Sequence, residues 1–78
     1  MTLEEVREIL DEVLIADGFD EAVIGYDDRS HRVVYNAYEC IMILMNRDNM
    51  SYDDALEFLE YNTFSAYVGD QTPLFIWI

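Results

Sequence analysis

The sequence predicts an α+β fold: a helix, a β-hairpin, two further helices and a closing strand, with a small antiparallel sheet packed on a buried central helix. Three observations carry this reading. Within residues 36–49, the run Cys40 to Met45 is apolar at every position, and a helix that is apolar all round is normally covered on several sides. Two short apolar runs, Ala22–Tyr26 and Val33–Tyr35, flank a polar turn, as in a hairpin. After Pro73, the residues Leu74 to Ile78 are apolar on both faces of any strand, a pattern of strands covered on both sides.

The elements follow in order. Thr2 and Glu5 form a capping-box pair, with Met1 and Val6 at the staple positions. Leu3, Val6, Ile9, Leu10, Val13 and Leu14 recur at helical spacing, and Glu4, Glu5, Glu8, Asp11 and Glu12 fall on the other face. This predicts an amphipathic helix over residues 3–16, ended by Asp17-Gly18. Glu21 to Tyr35 reads as the hairpin. Its aspartates, Asp27 and Asp28, can bond their own backbone and start the turn. Gly25 inside the first strand predicts a bulge or a close backbone approach.

Asn36 and Glu39 repeat the capping pattern and start the central helix, with Arg47 suited to the negative end of its dipole. Ser51 and Asp54 open a third helix. Tyr52, Ala55, Leu56, Leu59, Thr63, Ala66 and Tyr67 carry its spacing to Tyr67, with Gly69 as the stop. A rival reading ends this helix at Asn62 and makes Phe64–Val68 a strand. Three strands with helices on one side leave the other face wet. The closing strand therefore needs either unusual cover from its own chain or a second copy.

Size and charge bound the function. Seventy-eight residues make a single domain, 1–78, near the lower limit for unaided folding. The residues are 53% hydrophobic and 14% aromatic, enough to leave apolar surface for a partner. The lone Cys40 cannot form an internal disulfide, and with no signal-peptide pattern this predicts a cytoplasmic, reducing setting. No run reaches the roughly 18 apolar residues of a membrane span. Seventeen acids stand against four arginines and no lysine, for a net charge of −13. Residues 1–28 hold ten acids and Arg7; residues 29–47 hold Arg29, Arg32 and Arg47 with Glu39; residues 48–78 hold six acids and no base. Direct binding of nucleic acid or anionic membrane needs basic surface and is excluded on this balance. A basic protein partner fits it, and so does plain solubility.

Three blocks resemble a group of small acidic proteins of bacteria and their phages: Gly25-Tyr26-Asp27-Asp28-Arg29-Ser30-His31-Arg32-Val33-Val34-Tyr35, Met50-Ser51-Tyr52-Asp53-Asp54-Ala55-Leu56-Glu57, and Tyr67-Val68-Gly69 with Thr72-Pro73. Together they cover about a third of the chain. In that group a glycine is commoner where His31 stands, which would suit a turn residue with positive φ. The resemblance implies a bacterial or phage source. It implies no activity, so no functional residue is carried over.

Candidate chemistry is sparse. His31 lies near Asp27 and Asp28 and could be read as a metal ligand or a held general base. The spacing matches no metal motif, and a solvated turn histidine is the simpler reading. Asp17, Asp20 and Glu21 lack the calcium-loop pattern. Ser30, Ser51 and Ser65 carry no nucleophile signature, and no glycine-rich phosphate loop is present. The expectation is a non-enzymatic protein with no cofactor and no metal. Its expected partner-binding face is Asp53, Asp54, Glu57, Phe58, Glu60 and Tyr61, where aromatics stray among carboxylates. The function expected is protein binding, in a phage setting as an inhibitor that mimics the charge of DNA. The alternative is a small homo-oligomeric structural or assembly protein, a homodimer for example, joined through Leu74, Phe75, Ile76, Trp77 and Ile78.

Overall fold

The computed structural model describes residues 1–78 and has an α+β architecture. Its elements are α1 (Leu3–Ile9), β1 (Val23–Asp27), β2 (Arg32–Asn36), α2 (Ala37–Arg47), α3 (Tyr52–Leu59) and β3 (Leu74–Ile76). A 3₁₀ turn at Asp20–Ala22 leads into β1, and a π-helical segment at Glu60–Phe64 continues α3.

The helix starts are where local chemistry puts them. The Thr2 side chain accepts from the Glu5 amide at 3.2 Å, and the Glu5 carboxylate accepts from the Thr2 amide at 2.9 Å. Those bonds hold the Glu5 carboxyl below its ordinary pKa, the bond from the Thr2 backbone first. Asn36 caps α2 through the Glu39 amide, and Ser51 caps α3 through the Asp54 amide. Each cap satisfies an amide that has no partner inside its helix.

The ends of two helices differ from expectation. The first helix stops at Ile9, not near residue 16. Continuing it would gather Glu8, Asp11 and Glu12 at the negative end of the dipole, with Arg7 the one compensating cation. Instead Leu10 turns extended and drops into the core, leaving Ile9 exposed. The chain then crosses to Ala16, whose amide donates to the Tyr35 hydroxyl at 2.8 Å. Gly18 holds a left-handed turn with φ 91°, well past the helix end.

The third helix does not run to Tyr67, and Phe64–Val68 forms no strand. Its α-helical part ends at Leu59, and the chain widens into the π-helical segment. Side chains compete for the carbonyls there: the Asn62 amide donates to the Phe58 carbonyl at 2.9 Å, and the Ser65 hydroxyl donates to the Glu60 carbonyl at 2.7 Å. Such local bonds disfavour a regular α-helix. Gly69, with φ 128°, serves a later turn in which the Thr72 hydroxyl donates to its carbonyl.

The sheet order is β1-β2-β3. β1 and β2 are antiparallel, with Tyr26 opposite Val33 and Asp27 opposite Arg32, and the register slips between Val23 and Gly25. That slip is the bulge expected at Gly25. β3 pairs with β2 in parallel, Tyr35 opposite Phe75, so the sheet is mixed and not antiparallel throughout. The reason is the connection. The α2–α3 pair is a crossover that returns the chain to the end of the sheet where β2 began.

One core joins the layers. Val6 from α1, Leu10 just after it, Val33 and Tyr35 from β2, Cys40, Ile41 and Leu44 from α2, and Ala55 and Leu59 from α3 are buried together. Burial pushes the Cys40 thiol up to about 12, so it behaves as a small apolar group. The central helix spans 37–47 within the expected 36–49, with Asn36 as its cap. Its Arg47 guanidinium donates to the Gly18 carbonyl at 3.1 Å and lies 5.5 Å from the Phe19 ring centre, tying the loop before β1 to α2.

Candidate functional site

The six residues expected at a partner-binding face come together on the outer side of α3. Asp53, Glu57, Glu60 and Tyr61 line an open groove of about 620 Å³ with Leu56 and Ser65. Asp54, Glu57, Phe58 and Tyr61 line a second groove of about 320 Å³ with Met50 and Asn62. Glu57 and Tyr61 belong to both, so the grooves adjoin along one ridge.

Helical spacing explains the placement. Ala55 and Leu59 point into the core, which turns positions 53, 54, 57 and 58 outward. Asp53 and Asp54 sit in the first turn, where carboxylates complement the positive end of the dipole. Tyr61 stands four positions after Glu57 and beside it, and is 86% exposed; Phe58 is 44% exposed. Exposed rings of this size are poor candidates for intramolecular packing and good ones for a partner contact.

The carboxylates have no counter-ion within the chain. The one salt bridge joins Arg47 to its neighbour Asp48 at 3.4 Å. Asp53, Asp54, Glu57 and Glu60 place four negative charges on about 10 Å of helix axis, roughly one per 3 Å, close to the linear charge of one DNA strand. Leu56, Ser65, Met50 and Asn62 also line the grooves and were missed in the sequence. Leu56 and Met50 carry apolar signals that point to core. Ser65 and Asn62 depend on the π-helical turn, for which the sequence offers no periodic sign.

The hairpin residues have structural partners. The Asp27 carboxylate accepts from the Ser30 hydroxyl at 2.7 Å and from the Arg29 amide at 3.2 Å. The Ser30 bond, and then the Arg29 bond, hold its carboxyl below the usual range. His31 is exposed in the turn with φ 55°, the positive value that a glycine would accept more easily. Asp17, Asp20 and Glu21 lie exposed around the loop that leads into β1.

The closing strand divides the five expected oligomer contacts. Phe75 faces inward, stacked on Tyr35 with ring centres 5.2 Å apart and against Phe64 at 4.9 Å. Leu74 is half-buried, and Ile76, Trp77 and Ile78 are 40%, 55% and 77% exposed. No helix is long and apolar enough to cross a membrane. Comparison with protein-family models, curated proteins and solved structures finds no match, so the functional reading rests on these residues and their geometry.

Proposed function

We propose that this chain is a non-enzymatic binding protein that offers the outer face of α3 to a basic protein. The observation that carries the reading is the ridge of Asp53, Asp54, Glu57 and Glu60, unpaired within the chain and set around the exposed rings of Phe58 and Tyr61. Carboxylates without internal partners attract cationic surface over a Debye length, and the rings supply contact area once it arrives. A site on a protein that normally holds DNA phosphates meets both requirements. An arginine there can pair with a carboxylate and stack on a ring at once. The resemblance to small bacterial and phage proteins supports a setting in which the chain occupies such a site and inhibits its owner.

The test uses the whole chain, immobilised and exposed to bacterial lysate, with elution by rising salt and identification by mass spectrometry. A nucleic-acid-binding protein released at moderate salt is the expected result, and its DNA binding should fall as the free chain is added. The variant Asp53→Lys, Asp54→Lys, Glu57→Lys, Glu60→Lys should lose at least about 100-fold in affinity, since four like charges would now face a basic site. Capture that this variant leaves unchanged would sink the proposal.

A further inference from the structure

β1 and β3 are both edges of the sheet, and only one of them is guarded. An unpaired strand edge is a template for another strand, and proteins blunt it with bulges, charges or a covering element. β1 has a bulge between Val23 and Gly25, ends on Asp27 and is packed by α1. β3 has none of these. Leu74-Phe75-Ile76 carries no charge, and Pro73 stands before the strand, where it removes no ladder bond. Beside the edge lies a groove of about 350 Å³ whose walls include Phe64, Tyr67, Pro73 and Trp77.

Charge indicates what can approach it. Sixteen of the 17 acids precede residue 61, and Asp70 is the single acid of the last eighteen residues. Two copies with a net charge of −13 each repel wherever their acidic faces meet. The β3 edge is the surface on which they can touch with the least of that cost. The exposed parts of Tyr67, Ile76, Trp77 and Ile78 come to more than about half of the roughly 800 Å² that one partner contributes to a standard interface.

We propose that the open edge of β3 joins two copies of this chain, paired antiparallel about a twofold axis into one six-stranded sheet. Centring the pair on Phe75 sets Leu74 opposite Ile76 of the partner subunit and Trp77 opposite Pro73 of the partner subunit. Each indole then closes the other copy's groove. A twofold pair of identical strands is self-complementary, which is what a closed dimer requires. The acidic faces of α3 remain outside the contact, so the dimer displays two of them.

Sedimentation equilibrium across protein concentration, at about 0.05 M and about 0.5 M salt, tests this, because screening relieves repulsion between like-charged copies. The expected result is a two-chain mass, a dimer tightened by salt, and Trp77 emission that shifts to the blue as the indole leaves water. Ile76→Lys and Trp77→Ser should each weaken the dimer at least tenfold. Ile76 and Trp77 are exposed in the single chain, so unchanged circular dichroism will verify that both variants fold. A one-chain mass up to about 1 mM at high salt overturns the proposal. So does a dimer that Ile76→Lys leaves intact.

Discussion

The outer face of α3 and the open edge of β3 are both aromatic and exposed, yet they differ in charge. The first sets Phe58 and Tyr61 among four carboxylates; the second sets Tyr67 and Trp77 among almost none. The same kind of ring thus stands in two electrostatic settings on one small chain. Binding at the first should weaken with salt and binding at the second should strengthen. Ionic strength therefore separates the two surfaces without any mutation.

The comparison is broken most severely by removing the support common to both. Leu59 is fully buried, and it is the last residue of α3 before the π-helical segment that leads toward β3. Leu59→Ala should cost about 2–5 kcal/mol, read as a loss in urea midpoint, with both surfaces lost together. A variant of near wild-type stability would show that α3 is not anchored there.

Phe64→Ala acts on one side only. Phe64 touches Phe75 at 4.9 Å and Trp77 edge-on at 6.1 Å. The loss should be about 2–3 kcal/mol, given that Phe64 is half-buried. Amide exchange should rise around residues 64–78 and stay slow in α2. Exchange raised equally everywhere would contradict a local role.

Tyr35→Phe sharpens the account of the loop after α1. It removes the acceptor for the Ala16 amide, at about 1–2 kcal/mol. Burial raises the Tyr35 phenol above its ordinary 10.0. The folded state thus favours the neutral form, and the contribution is complete below pH 10.0 and falls as pH rises through the folded value. Stability of the native chain should decline above pH 10.0, and Tyr35→Phe should flatten that decline in a urea titration.

The smallest change in stability comes with a clear change in binding. Tyr61→Ser replaces a ring that is 86% exposed, so stability should move by less than about 0.5 kcal/mol. Capture of the basic partner should weaken about tenfold or more, while the mass of the free chain is unaffected. Equal effects on both readouts would merge two surfaces that are separate here.

What was legible in the sequence was local. The three caps, Thr2 with Glu5, Asn36 with Glu39 and Ser51 with Asp54, each act within four residues. The Gly25 bulge and the hairpin turn are of the same kind. The four carboxylates and two rings of the α3 face were visible because helical spacing alone brings them together. The rest depended on distant partners. Leu10 leaves α1 to fill the core, and Ala16 is held by a hydroxyl nineteen positions away. The direction of β3 follows from how α2 and α3 pack, which no run of residues states. Arg32 illustrates the point: its guanidinium donates to the carbonyl of Thr72, forty positions on, and locks the turn that feeds β3. The Val68 amide binds the Thr72 hydroxyl at 2.9 Å in the same turn. The start of β2 and the loop that feeds β3 therefore meet at one structural joint.

The widened turn at Glu60–Phe64 has a geometric consequence. A π-helical turn holds one more residue than an α-helical turn, so it acts as a phase shift along the helix. Upstream of it the chain keeps Glu57 facing water; its last residue, Phe64, packs on Phe75. Deleting one residue from this turn would rotate everything after it by about 100° relative to α3. The length of five residues thus determines whether a charged face and an aromatic face can coexist on one helix.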